Sequence, residues 1–253
     1  MPQHFSLRMR LLPAALLLAL AGCSAQETSP PPAESTSASP TAPTPAPPAT
    51  TPSPSPSPSA VRRTSAQLKS ALLGLKDLPA GFEVEKGGGG NDGTKVSSSK
   101  KACAPLVRLM NSDTVAGSRA QAQRSFSGGQ DGPFVDETLD AMGTAQAART
   151  FVQDYRTSVK ACRSVRVSLA GVGSSDVAVR ELSFGKMGGE TFAGRFRAEG
   201  GALDGLEIIQ VGVQAGDIVV GVTTVGLEGP DAEAATEDAV HKARKKLGTA
   251  ESI

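Results

Sequence analysis

Only two histidines occur in the chain, His4 and His241, and that scarcity narrows the available chemistry at once. His4 lies in an N-terminal leader. A Ser-His-Asp or Cys-His nucleophile would therefore have to use His241, which sits among charged residues near the C-terminus and reads as a solvated helix position. No histidine pair and no thiolate cluster has the spacing that zinc or iron requires. Glu181 and Glu190 are conceivable as a glycosidase pair. With no Trp and a single Tyr, Tyr155, little aromatic surface is present on which a sugar could stack. Asp131, Asp136, Glu137 and Asp140 form a loose acidic group that lacks EF-hand spacing and reads as a solvated strand edge. Gly87-Gly88-Gly89-Gly90 lacks the Gly-Lys-Ser/Thr ending of a phosphate loop and reads as slack. Ser97-Ser98-Ser99-Lys100-Lys101 reads as a polar loop. The expectation is no catalytic residue, no metal and no cofactor.

Three cysteines carry what distinctive chemistry there is. Cys23 ends the tetrapeptide Leu20-Ala21-Gly22-Cys23, behind Arg8, Arg10 and an apolar run from Leu11 to Leu20. That run is about half of the ~20 residues a membrane-spanning helix needs, so it reads as an export signal. The four residues resemble the lipobox of bacterial lipoproteins. The resemblance implies a diacylglyceryl group on the Cys23 thiol, cleavage that makes Cys23 the first residue, and further acylation with chains such as palmitate. One acyl chain binds membranes only marginally, at ~0.8 kcal/mol per buried methylene, whereas two or three hold stably. An ordinary secretory signal that contains a cysteine is the alternative. Cys103 and Cys162 then remain, 59 positions apart in an exported chain where disulfides persist. One bridge between them is expected, worth about 4 kcal/mol at most in the loop-entropy account; two free buried thiols are the alternative.

The organisation follows: residues 1–22 as signal peptide, 23–60 as lipidated cysteine plus linker, 61–253 as a globular domain. The linker is almost wholly Pro, Ser, Thr and Ala, and such a composition is expected to stay disordered as a spacer. Removing Arg8 and Arg10 with the signal leaves 24 of the 26 basic residues against 25 acidic ones. That balance, with no block of one sign, gives nucleic acid no electrostatic support as a partner.

Within the domain, Ser65 is placed as the cap of a helix carrying Leu68, Leu72 and Leu75 on one face. Phe82 to Glu85 reads as extended. A second helix is expected over Lys100 to Met110, with Pro105 in its first turn. Strands are expected near Ala120–Phe126 and over Phe134–Leu139. Thr144 caps the clearest helix, which runs to Cys162 with Ala148, Phe151, Val152, Tyr155 and Val159 at helical spacing. Both cysteines are thus placed on buried helix stripes. Five strands follow, Val165–Leu169, Ser175–Phe184, Glu190–Ala198, Leu206–Gln214 and Asp217–Val225, and Pro230 opens a final helix that Gly248 stops. Short connections favour an antiparallel meander. The expected fold is α+β: a single twisted antiparallel sheet with helices packed mainly on one face.

This order of features resembles a known family. Leu72-Leu73, Asp77-Leu78-Pro79-Ala80-Gly81-Phe82, Cys103 ahead of an alternating strand, and Ala145 to Cys162 with Phe151 are similar to the extracellular sensor domain of the actinobacterial kinase PknH and its lipoprotein relatives. The resemblance spans most of residues 64–247. It implies an antiparallel sheet with helices, disulfide support at Cys103 and Cys162, and a cleft for an envelope ligand. Kinase-linked members carry two bridges and this chain has residues for one. No ligand-binding residue can be mapped from it. The expected function is a lipid-anchored protein on the extracytoplasmic face of the cell membrane. Its partners are membrane lipid through acylated Cys23 and a small envelope ligand or envelope protein. A lipid or glycolipid carrier is the alternative from another class; a cell-wall hydrolase has less support.

Overall fold

The computed structural model describes residues 60–86 and 93–249 of the chain. The signal, Cys23, the linker and the four-glycine run therefore lie outside the described residues.

Helix α1, Ser65–Ala71, has its cap one residue earlier than the Ser65 placed from sequence. Thr64 is the N-cap, its hydroxyl accepting from the Gln67 N–H while the Gln67 side chain accepts from the Thr64 N–H. This reciprocal box satisfies two amides that a helix start leaves unpaired. Leu72 then turns extended, so Leu75 falls outside the helix, in a short 3-10 turn at Leu75–Asp77, and is exposed. Two short strands follow, β1 (Glu83–Val84) and β2 (Lys95–Ser97). Next come a 3-10 turn ending at Cys103 and helix α2, Ala104–Met110. Strands β3 (Ala120–Ser127) and β4 (Phe134–Ala141) precede α3, Ala145–Ala161, whose cap is Thr144 as expected. The remaining strands are β5 (Ser164–Leu169), β6 (Gly173–Glu181), β7 (Thr191–Glu199), β8 (Glu207–Ala215) and β9 (Ile218–Val225). Helix α4, Gly229–Leu247, has proline in its first turn and ends at Gly248, whose φ of +62° is the left-handed cap glycine adopts without strain.

All nine strands form one antiparallel sheet in the order β1-β3-β4-β9-β8-β7-β6-β5-β2. The meander from β5 to β9 is present, and β4 joins it by pairing with β9 along eight residues. An edge strand not expected from sequence, Lys95–Ser97, pairs with β5 and ends where the polar stretch Ser97–Lys101 begins.

Helices cover both faces, which corrects the expectation of one covered face. Ile209, Val211 and Val213 of β8 join Val220 and Val222 of β9 in a core roofed by α1 and α4. Phe192 and Phe196 of β7, Val177 and Val179 of β6 and Val219 of β9 form a second core under α2 and α3. Successive strand residues point to opposite faces, and in β8 every residue from Val211 to Ala215 is buried. A strand buried on both sides needs a layer on each. The second layer sits close because Gly212 has no side chain: a Cβ there would lie 2.1 Å from the Phe192 ring. Tyr155 of α3 stacks on Phe192, ring centroids 4.0 Å apart, and donates its hydroxyl to Gln210 Oε1 at 2.6 Å. Burial holds that phenol well above its usual range.

Cys103 and Cys162 are joined by a disulfide, but not from within helix stripes. Cys103 is the N-cap residue of α2 and Cys162 the C-cap residue of α3. The bridge ties the start of one helix to the end of the other, both cysteines fully buried. At the opposite corner, Arg63 grips Asp217 through two hydrogen bonds of 2.8 and 2.7 Å and donates a third to the Leu247 carbonyl at 2.8 Å. That clasp joins the chain ahead of α1, the β8–β9 hairpin and the end of α4.

Candidate functional site

The segment after α1 carries the motif Asp77-Leu78-Pro79-Ala80-Gly81-Phe82, and the fold fixes it by its backbone. Leu73, just past the helix, has a buried amide with no helical carbonyl to meet it. Glu137 of β4 supplies the acceptor, Oε2 at 2.6 Å. The Leu73 carbonyl accepts from Arg124 of β3. One residue on, the Gly74 N–H donates to Asp77 Oδ2 at 2.8 Å, and the same carboxylate pairs with Lys242 of α4. That ammonium holds the Asp77 carboxyl below its ordinary range. Three elements thus pin the 73–77 turn, which is irregular backbone that could not hold its shape alone.

Beyond the pinned turn lies a cleft of about 450 Å³. Residues 77–82 form one wall. The first half of α4 forms the facing wall, with Ala234 and Ala235 leaving room between Asp231 and Asp238. Gly128 and Pro133 of the β3–β4 turn, Val135 of β4 and Leu227 ahead of α4 complete it. The volume falls within the range of small-molecule sites. The surface is mainly apolar, and its charged groups are three aspartates, of which Asp77 is already paired. The excess charge at the rim, from Asp231 and Asp238, is negative, and the ring of Phe82 is the aromatic surface within reach. Such an arrangement favours a ligand with an apolar body and a cationic or strongly donating group.

Two carboxyls of the loose acidic group are deeply buried, against the reading of a solvated edge. β4 is an interior strand between β3 and β9, so Glu137 is 0% and Asp140 1% exposed. Burial pushes the Glu137 carboxyl up to about 7; the Leu73 amide and the charges of Lys242 and Arg124 pull the other way, and Asp77 adds to the rise. Burial likewise raises Asp140 to about 6 against hydrogen bonds from Ser118 and Gln121. Oε1 of Glu137 and Oδ1 of Asp140 have no protein partner. Three positions apart on one strand, the two face opposite sides of the sheet, Glu137 toward α1 and Asp140 toward the α3 layer. They form no acid–base pair. The sequence carries a signal for Glu137, since it occupies the apolar row of Val135, Leu139 and Ala141.

The other sequence candidates are dispersed. Glu181 pairs with Lys160 at 3.3 Å, and Glu190 with Arg156 at 3.1 Å. His241 is exposed on α4. Asp131 is exposed and Asp136 half-buried. Among the described residues no three His, Cys, Asp or Glu side chains gather as metal ligands, and no helix is long and apolar enough to cross a membrane.

No protein-family model matches the chain, and no curated protein matches it significantly. Among solved structures, the extracellular domain of PknH from Mycobacterium tuberculosis aligns with a TM-score of 0.55 at 19% identity, covering 74% of this chain and 98% of that one. An Rv0999 ortholog from Mycobacterium smegmatis aligns over the same shares with a TM-score of 0.40 at 13% identity. The nine-stranded antiparallel sheet with its four helices is thus similar in fold to the PknH extracellular domain.

Proposed function

We propose that the protein is a cell-envelope lipoprotein, anchored through acylated Cys23, whose sensor-like domain binds a small ligand outside the cell. The cleft between residues 77–82 and α4 is the binding site in this reading. The observation that carries it is a cleft of small-molecule size walled by a backbone segment that three charged side chains hold in place. Similarity to an extracellular domain supports the outward-facing location. The lipid-carrier reading is weaker. The apolar hollow beside Val96, Met110, Phe196 and Ile208 measures about 180 Å³, below the range for even a drug-sized ligand, and the larger one of about 620 Å³ beside Leu109, Met142 and Phe151 is a more open surface groove.

The test is native mass spectrometry of the full chain purified from its own host. A bound mass is expected that Ala234→Phe, which fills the cleft from α4, abolishes without lowering the melting temperature. Asp238→Asn should weaken rebinding of the recovered compound about tenfold, the scale of one charge contact in a partly dry site. Retention of the full bound mass by Ala234→Phe would rule the cleft out.

A further inference from the structure

The β6–β7 connection, residues 182–190, builds a second hollow of about 480 Å³ against α3, and its chemistry is opposite to that of the cleft under α4. Arg149 and Arg156 stand seven residues apart on α3, hence on one side of the helix and roughly 10 Å apart along it. Lys186 reaches the hollow from the loop. Glu190 is the acid there, and it is already committed: Gln153 donates to its Oε1 at 2.9 Å and Arg156 pairs with its Oε2 at 3.1 Å. Arg149 and Lys186 have no ion pair with any described residue. The residues lining the hollow therefore bring three cations against one carboxylate, with Glu233 of α4 accepting from the Gly185 N–H of the same loop.

A further observation points to a ligand there. Thr191, on the floor, has a hydroxyl shut away from water and without a hydrogen-bond partner. An unmet buried hydroxyl is costly, and an oxyanion in the hollow supplies an acceptor after a turn about its χ1. The loop that forms the rim packs tightly on the rest of the fold at Gly188 and Gly189. A Cβ at Gly189 would lie 2.2 Å from Gln214 Oε1, and one at Gly188 would lie 1.9 Å from Arg244 Nη2. The guanidinium of Arg244 thus rests against the same loop.

We infer that this hollow is an oxyanion site for a phosphate- or pyrophosphate-bearing ligand. Guanidinium forks match phosphate oxygens two at a time, and two cations spaced along a helix suit a group with more than one charge. The phosphate can belong to a phospholipid headgroup or to a free phosphorylated compound. The inference is independent of the cleft under α4.

The experiment uses the full chain carrying Cys23→Ala, so that acylation adds nothing. It is titrated at low ionic strength with inorganic pyrophosphate and, separately, sedimented with vesicles of phosphatidylglycerol or of phosphatidylcholine. Saturable one-to-one binding of pyrophosphate is expected, weakened about tenfold or more in Arg149→Gln/Lys186→Gln. Arg166→Gln, an exposed cation that pairs with Asp176 elsewhere on the sheet, should leave it unchanged. Sedimentation with phosphatidylglycerol but not phosphatidylcholine, lost in the same double variant, identifies a headgroup as the source. Pyrophosphate binding alone identifies a free phosphorylated ligand. Neither pyrophosphate nor phosphatidylglycerol binding, or losses equal in Arg166→Gln, would overturn the site.

Discussion

Glu137 shows how one side chain can set a domain's response to acidity. Its carboxyl is raised from an ordinary value of 4.5 to about 7 by burial, so between those values the folded state holds a proton that the unfolded state releases. Folding stability from this group is therefore fully present below pH 4.5 and declines as pH rises through 7, by on the order of 3 kcal/mol in all. Glu137→Gln keeps an acceptor for the Leu73 amide and removes the titration. Melts at pH 5 and pH 8 should show a smaller loss of stability at the higher pH than in the parent; an identical pH dependence would show that Glu137 does not titrate as burial dictates. Arg63 is a second such residue. Its pair with Asp217 is nearly dry, the side chains 11% and 6% exposed, and Arg63→Ala would leave the aspartate and the Leu247 carbonyl without their partner. A loss on the order of 3 kcal/mol is expected, roughly 6–12 °C in melting temperature for a domain of this size, read by thermal unfolding at neutral pH. Arg63 does not announce itself in the sequence, and Glu137 does so only by sharing the apolar row of Val135, Leu139 and Ala141. Arg63 looks like one of a pair of surface arginines at a linker's end, and Glu137 like one acid among four. Their burial depends on which strands flank β4 and where α4 ends, and neither fact is local.

At the scale of elements, the best-read parts were those whose pattern is long and repeated. The α3 helix and the five strands from β5 to β9 fall within a few residues of their expected bounds, because helical spacing and strand alternation persist there over many residues. What failed was short or two-sided. β2 has three residues, two of them exposed, so no alternation could mark it. The second helical layer has no mark in the sequence outside β8. Its run of buried residues from Val211 through Gly212 to Ala215 is the mark of a strand covered on both sides. The cysteines were matched to each other correctly in sequence but misplaced locally, since helical spacing continues by chance into the caps. Their position has an energetic consequence. Cys103→Ser frees the start of α2 from the end of α3 and reopens a 59-residue loop in the unfolded chain, a loss of up to about 4 kcal/mol. The oxidised parent should melt higher than the variant, with Cys162 alkylatable only in the variant. Rapid labelling of native, unreduced parent would contradict the bridge. The cleft was legible as a motif, Asp77 to Phe82, but not as a cavity. Its facing wall, Ala234 and Ala235 between aspartates, lies more than 150 residues away and has no signature beyond small size.

The whole molecule is proposed as a domain at the end of a tether, and its attachment has its own test. Cys23→Ala should move the protein from the washed membrane fraction to the soluble extracytoplasmic fraction, followed by immunoblot; full retention would exclude the lipid anchor. The sequence was most specific about this address and least specific about the ligand. A lipobox is a contiguous tetrapeptide, whereas a binding cleft is assembled from segments brought together by folding. Arg63 joins these two levels. Any pull transmitted along the chain from the membrane side reaches the described domain at residues 60–63. There it meets the bidentate grip on Asp217 and the bond to the end of α4 before it reaches α1. Behind that grip, α1 is held through Leu73 to the turn that walls the cleft. In the proposed lipid-anchored protein, load would thus be borne at a corner where both ends of the domain are fastened, and the proposed binding surface would keep its shape until that corner gave way.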